Sequence, residues 1–423
     1  MPSSIDSTAA AQPGDGAPSA RSTLTTAYSR SRKTFLLVTL LLSWMLANAD
    51  RVAMTVSIVP ITREFSLGPE AAGLVLSAFY ISYSLMQLAA GWLADRFGSR
   101  RILVFCVACW SLFTALTGFA GSFAALFVIR ILFGIGEGGF APASSVTVAE
   151  AFPRQERARA KSLVIGASFL GSAIGSGAIA ALIAAHGWRY AYHAFGLVGI
   201  VMAIVLWFAV KESPARMRGS RAAGLFGMLL RTPVVRRTML IYFFGNVVQI
   251  GLASWMPSFL VKTRNIDILH AGIASAAPYL VAFAALNLVG WLLDRFGEGR
   301  EQVFLAVGAA MMIGFLGLMA FADSLPVLLG LWTLSLVGYT VIYGTVFAIP
   351  LKHLPDQSIG TAVGIINFGG QIASGLGPLA IGFLVGMAHG GFAPAFGFLL
   401  AAGAGALAVA LTWRPGSGIA AAR

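Results

Sequence analysis

Apolar runs recur along the chain with short clusters of Lys, Arg, Pro and Gly between them. They lie at about 34–61, 71–94, 101–121, 123–148, 159–185, 189–211, 236–261, 271–294, 302–322, 325–351, 359–387 and 391–413. At ~1.5 Å of rise per helical residue, each is long enough to cross roughly 30 Å of hydrocarbon. The pattern therefore predicts twelve membrane-spanning helices. Residues 1–33, rich in Ser, Ala, Thr and Gly and without apolar periodicity, read as a disordered tail. Phe35–Leu46 followed by Ala47-Asn48-Ala49 imitates a secretory signal, but the apolar run resumes beyond Asp50 to Ile61, which favours a retained first span. The longest hydrophilic interruption, Lys211 to Arg237, carries Arg216, Arg218, Arg221, Arg231, Arg236 and Arg237. It divides the chain into a six-helix unit at 34–211, a basic linker at 212–235, a second six-helix unit at 236–413 and a tail at 414–423.

The halves are related. Gly91-Trp92-Leu93-Ala94-Asp95-Arg96-Phe97-Gly98 closes the second span and Gly290-Trp291-Leu292-Leu293-Asp294-Arg295-Phe296-Gly297 the eighth, 199 residues on, with seven of eight positions identical. One octet at the same place in each half marks a parallel repeat, an arrangement that sets a binding site between the halves near the midplane. The fold class is an all-α polytopic membrane protein with two pseudo-symmetric six-helix bundles.

Composition agrees: 58% of residues are hydrophobic and 11% charged, too apolar for a water-soluble domain of 423 residues. The net charge of +13 would suggest nucleic acid in a soluble protein. Here 23 of the 29 Lys and Arg fall in the tails and alternate loops, so the charge is a topology signal placing both termini in the cytoplasm of an inner-membrane protein. No nucleic-acid partner is expected, and a monomer in the bilayer is. Cys106 and Cys109 have CxxC spacing inside an apolar span, with no second pair and no nearby histidine, and read as packing residues. No HExxH, GxSxG or Walker lysine loop occurs, so no catalytic residue, metal or cofactor is expected and an ATP-driven pump is disfavoured.

The chemistry lies in charges at membrane depth. A charged residue at the centre of a spanning helix costs about 2.5–3.5 kcal/mol on insertion scales, which selects for a purpose. Asp50 and Arg51, adjacent in the first span, point about 100° apart and each needs another partner. Arg51 offers a planar fork that matches a carboxylate, either a ligand's or that of a protein acid, Asp50 or Glu137. Asp50 and Glu137 are acids whose proton occupancy can respond to what the arginine holds. Arg130 lies two turns from Glu137 on one face of the fourth span and can stabilise an acid or serve a structural role. Tyr83, Asn48, Asn367 and Gln371 are polar side chains on apolar spans, suited to hydrogen-bonding a solute or to interhelical packing. Tyr339, Tyr343, Asn246, Gln249 and Asn287 read as packing residues first.

The segment from Gly91 to Arg101 closely resembles the signature loop of the major facilitator superfamily, and with the repeat and the twelve spans the resemblance covers nearly all of the chain after the tail. Asn48-Ala-Asp-Arg51, the run Ser77 to Gln87 and Arg130-Ile-Leu-Phe-Gly-Ile-Gly-Glu137 look like its anion:cation symporter family. The resemblance implies a secondary transporter importing an organic anion, such as a sugar acid, with protons. Arg51 would clamp the carboxylate while Asp50 and Glu137 carry protons. It also implies a cytoplasmic latch of Gly91, Asp95, Arg96, Gly98 and Arg101, mirrored by Asp294 and Arg295. The alternative is proton-coupled efflux of an organic compound, against which the fifth span lacks the Gly-Pro pair of the superfamily's drug antiporters.

Overall fold

A computed structural model describes residues 28–211 and 222–414; within them, the side chains of some helix-end residues, Gly91 and Asp95 included, lie outside the description. The described residues form α-helices joined by short turns and loops. The first half comprises α1 (Arg30–Glu64), α2 (Pro69–Phe97), α3 (Ser99–Thr117), α4 (Phe123–Glu137), α5 (Phe140–Ala151), α6 (Arg154–His186) and α7 (Trp188–Ala209). After α8 (Ala222–Arg231), the second comprises α9 (Pro233–Thr263), α10 (Ile268–Phe296), α11 (Glu301–Met319), α12 (Leu325–His353), α13 (Asp356–Met387) and α14 (Ala393–Thr412). Among the described residues eleven segments are long and apolar enough to cross a membrane, α4 and α5 together forming one. The 29-residue α2 supplies the twelfth. Large apolar side chains such as Phe105, Leu197, Phe208 and Phe321 stand exposed on outer faces, as lipid contact requires.

Three boundaries differ from expectation. Arg30–Lys33, assigned to the disordered tail, form the first turn of α1, because the Ser29 hydroxyl caps it by accepting from the Arg32 amide and the Tyr28 hydroxyl accepts from the Lys211 amide at 2.8 Å. Residues 1–27 and 415–423 of the two tails lie outside the described residues. The basic linker holds a helix, α8, whose Ala-Ala-Gly-Leu-Phe-Gly-Met-Leu-Leu run is apolar enough to pack once formed, with Leu229 buried. The fourth span breaks at Gly138-Gly139, immediately after Glu137.

The glycines before and at that break allow close packing. A Cβ on Gly134 or Gly138 would strike Ser82, Phe79 and Met86 of α2, and one on Gly136 or Gly139 would strike the sulfurs of Cys109 and Cys106 in α3. Four glycines thus let α4 wedge between two helices, and the wedge carries Glu137 into the interior, 1% exposed. Cys106 and Cys109 are free thiols packed against those glycines, as expected of small apolar residues. Gly171 and Gly175 of α6 likewise seat against Met45 and Ala49, fixing α1 beside α6.

The halves interlock at one end. Gly73 of α2 meets Pro378 and Gly382 of α13, Gly272 of α10 meets Ser176 and Ala180 of α6, and the Ser176 hydroxyl donates to the Gly272 carbonyl at 2.7 Å. Deeper in, Gly375 packs on Ile81 and Asn367 Nδ2 donates to Gln87 Oε1 at 2.7 Å. Toward the opposite end, which carries the octets, added Cβ atoms on Gly290, Gly360 and Gly364 would meet nothing within 4 Å. Among the described residues, the close contacts between halves therefore gather away from the octets.

Candidate functional site

The site is built where α1, α2, α3, α4 and α7 converge. Arg51 donates from Nε and Nη2 to a single oxygen, Glu137 Oε1, at 2.9 and 2.5 Å. Its guanidinium lies over Tyr83 and Phe79 at 4.7 and 5.2 Å from the ring centroids. The arginine keeps 15% side-chain exposure against 1% for the glutamate, so the pair has one face toward open space and one toward the core. A buried pair of this kind roughly balances desolvation, but loss of either member strands the other charge, at about 3–5 kcal/mol. Of the partners the sequence left open for Arg51, this conformation selects Glu137.

Asp50 points the other way. It is 2% exposed, makes no ion pair among the described residues and accepts only a 3.4 Å hydrogen bond from the Thr114 hydroxyl of α3. Arg130, also 2% exposed, donates to the Thr117 hydroxyl at 2.9 Å and stacks 4.7 Å from Phe133 and 5.7 Å from Tyr192. It hydrogen-bonds neither acid, although its charge acts on both. Asp50 Oδ1, Glu137 Oε2 and Arg130 Nε have no hydrogen-bond partner among the described residues. Buried polar atoms in that condition cost about 1–3 kcal/mol each, and a proton on a carboxylate oxygen removes part of the charge that needs solvating. A cavity of about 10 Å³ is bounded by Arg51, Arg130, Thr55, Tyr80 and, from the second half, Ser254. That is roughly the room of one water.

The second half faces this cluster with neutral groups. Tyr339 donates to Asn246 Oδ1 at 2.6 Å, and Tyr343 stands 6.0 Å from both Tyr339 and Tyr242. The expected solute contacts are scattered. Asn48 donates back to the Trp44 carbonyl of its own helix at 2.8 Å, Asn367 is bonded to Gln87 across the halves, and Gln371 is half-buried and makes no side-chain hydrogen bond among the described residues. Asn287 donates to its own helix at Phe283, and Gln249 is buried.

At the octets the structure is asymmetric. Gly98 has φ of +86°, a conformation that favours glycine, and turns α2 into α3. In the second copy Gly297 has φ of −86° and the turn is made at Gly299, φ +70°. Arg96 and Arg101 are exposed, and the Asp95 and Gly91 side chains lie outside the described residues. Asp294 is exposed and Arg295 packs between Trp291 and Phe296 at 5.7 and 5.6 Å. Among the described residues, a buried acid at this end is Glu301, 3.8 Å from Lys352 Nζ and 3.5 Å from His353 Nε2, with Lys352 also donating to the Leu293 carbonyl. Spacing along the chain carried no sign of Glu301, Thr114, Thr117, Gln87 or Tyr192, since each meets its partner from another helix.

Comparison with known proteins places this geometry. Residues 35–378 match the Major Facilitator Superfamily. A probable sulfoacetate transporter of Cupriavidus necator is 30% identical over 369 residues, covering 81% of this chain and 85% of the relative. A probable galactarate/D-glucarate transporter of Escherichia coli K12 is 27% identical over 388 residues, covering 81% and 85%. The fold is similar to a bacterial homologue of the human lysosomal transporter Spinster in an inward-facing, unoccupied conformation, with a TM-score of 0.76 at 22% identity over 91% of this chain and 96% of that one. The chain is a multi-pass membrane transporter, not an enzyme, and belongs to the major facilitator superfamily, its relatives matching the anion:cation symporter branch expected from its first, second and fourth spans.

Proposed function

We propose that the protein imports a small organic anion, a carboxylate such as a sugar acid, together with protons, by alternating exposure of the Arg51 site. The observation that carries this reading is the Arg51–Glu137 pair: a guanidinium whose fork is spent on one oxygen of an internal acid, with a face toward open space. A proton on Glu137 weakens that pair and frees Arg51 for an incoming carboxylate, which the fork holds in two parallel hydrogen bonds. A carboxylate on Arg51 in turn lessens the arginine's hold on the ionised acid, so anion and proton favour each other's binding, as linkage requires. Asp50, with no cation hydrogen-bonded to it, is the second proton carrier, and Arg130 sets its electrostatic surroundings. With the acids neutral and the arginine satisfied, the halves can rock without carrying bare charge through a closed state.

The basic loops support cytoplasmic termini and an inner-membrane location. The end that carries the octets, where contacts between halves are sparser, then faces the cytoplasm. There Gly91 and Gly98, with Asp95, Arg96 and Arg101, and Asp294 with Arg295 form the latch of the opposite conformation; buried Glu301 with the exposed Lys352 adds an ion pair on the second-half side. Purified protein in proteoliposomes should concentrate organic anions only with an inward proton gradient. Concentrative uptake that persists after pH gradient and voltage are dissipated would remove proton coupling, and net outward movement would favour efflux.

A further inference from the structure

Between Leu46 and Val59, α1 is buried on every side except at Asn48 and Arg51. Trp44, also half-buried, precedes them at helical spacing, so Trp44, Asn48 and Arg51 form one stripe on the face α1 turns to open space. At the octet end of that stripe stands Lys161 of α6. Its ammonium lies 5.5 Å from the centroid of the Trp44 ring, and it is half-buried. Trp44 is itself fixed: its indole N–H donates to the Ser144 hydroxyl at 3.3 Å and its ring meets Phe140 at 5.5 Å. Among the described residues no carboxylate pairs with Lys161. The other deeply placed cation of this face, Arg51, is occupied by Glu137, whereas among the described residues no acid answers Lys161.

We propose that Lys161 is a second anion-binding side chain of the transport path, and that with Arg51 it selects a dianion whose two acid groups sit at the ends of a short chain. This rests on the organic-anion reading of Arg51. Seven residues of α1 separate the levels of Trp44 and Arg51, about 10 Å of axial rise. With a charge-assisted hydrogen bond of ~2.8 Å at each end, the two acid groups must stand at opposite ends of an extended chain to meet both cations. A compact dianion, with both charges on one centre, reaches one cation and not the other. Asn48, between the two, offers an amide along the length of such a chain, and the Trp44 ring gives it an apolar floor.

The test measures binding of straight-chain dicarboxylates, from ethanedioate to octanedioate, and of their monomethyl esters to the purified full-length protein. The wild type should bind one intermediate dicarboxylate at least about tenfold more tightly than its monoester, the size of one charge-assisted hydrogen bond. Lys161→Gln should bring that ratio close to one and flatten the chain-length preference, and Lys161→Arg should keep both. Equal binding of dianion and monoester by the wild type, a ratio unmoved in Lys161→Gln, a proportional loss of both ligands in that variant, or no binding of any dicarboxylate would overturn the inference. The wild-type chain-length profile decides the matter even where a variant fails to fold. Arg51→Gln separates the two readings: it should weaken monoester and dianion alike, and undiminished binding of both would sink the organic-anion function and this inference together.

Discussion

The first bundle gathers four ionisable side chains, Asp50, Arg51, Arg130 and Glu137, into its interior, while the second offers the same space a wall of Tyr242, Asn246, Tyr339 and Tyr343. The displacement that aligns the two octets carries Asp50 onto Gln249 and Arg51 onto Ile250, so the repeat keeps the helices and drops the charges. Related backbones can thus divide the labour. One half holds the groups that bind and exchange protons, and the other supplies a surface that closes on them. A neutral wall suits closure, since bare charge buried by rocking would have to be desolvated at each cycle.

The sharpest way to break this asymmetry is Arg51→Ala. It removes the anion clamp and strands Glu137, so uptake should fall at least ~100-fold and stability by about 3–5 kcal/mol, read by transport assay and thermal unfolding. The double variant Arg51→Ala with Glu137→Gln should recover most of the stability and none of the uptake. Glu137→Gln alone should act next most strongly, leaving exchange of anion for anion while reducing proton-driven accumulation at least ~10-fold and weakening its dependence on external pH, with Asp50 left as the remaining proton carrier. Gly134→Val, which collides with Ser82 and the Phe79 backbone, should destabilise by about 1–3 kcal/mol and lower uptake through the displaced Glu137. In the neutral half, Tyr339→Phe should have a smaller effect, about 1 kcal/mol from the unpaired Asn246, seen as a few-fold loss in affinity. The smallest effect is expected at the seam between halves, where Asn367→Ala loses a hydrogen bond worth ~0.6 kcal/mol in membrane proteins.

Much of this was legible in the chain because the membrane makes exceptions conspicuous. Twelve apolar runs, a repeated octet and a few charges at depth are enough to place the bundles and single out Asp50, Arg51, Arg130 and Glu137. What spacing could not supply was partnership. Arg130 and Glu137 share a face of one span, yet Arg130 bonds Thr117 and Glu137 bonds Arg51, because each is nearer to a neighbouring helix than to the other along its own. The break at Gly138-Gly139 reads as a glycine run in sequence and acquires its meaning only once α2 and α3 are seen pressing on both sides. The second octet looks like a copy of the first, but its turn falls two residues later, at Gly299, since Gly297 stays in ordinary backbone geometry.

The reciprocal hold of anion and proton on Arg51 and Glu137 can be read without any vesicle. Calorimetric titration of purified protein with a bound organic anion, repeated in buffers of different ionisation enthalpy, counts the protons taken up on binding. Wild type should take up protons as the anion binds, and Glu137→Gln should take up fewer. Anion binding with no proton uptake in the wild type, or with the same uptake after Glu137→Gln, would contradict the account.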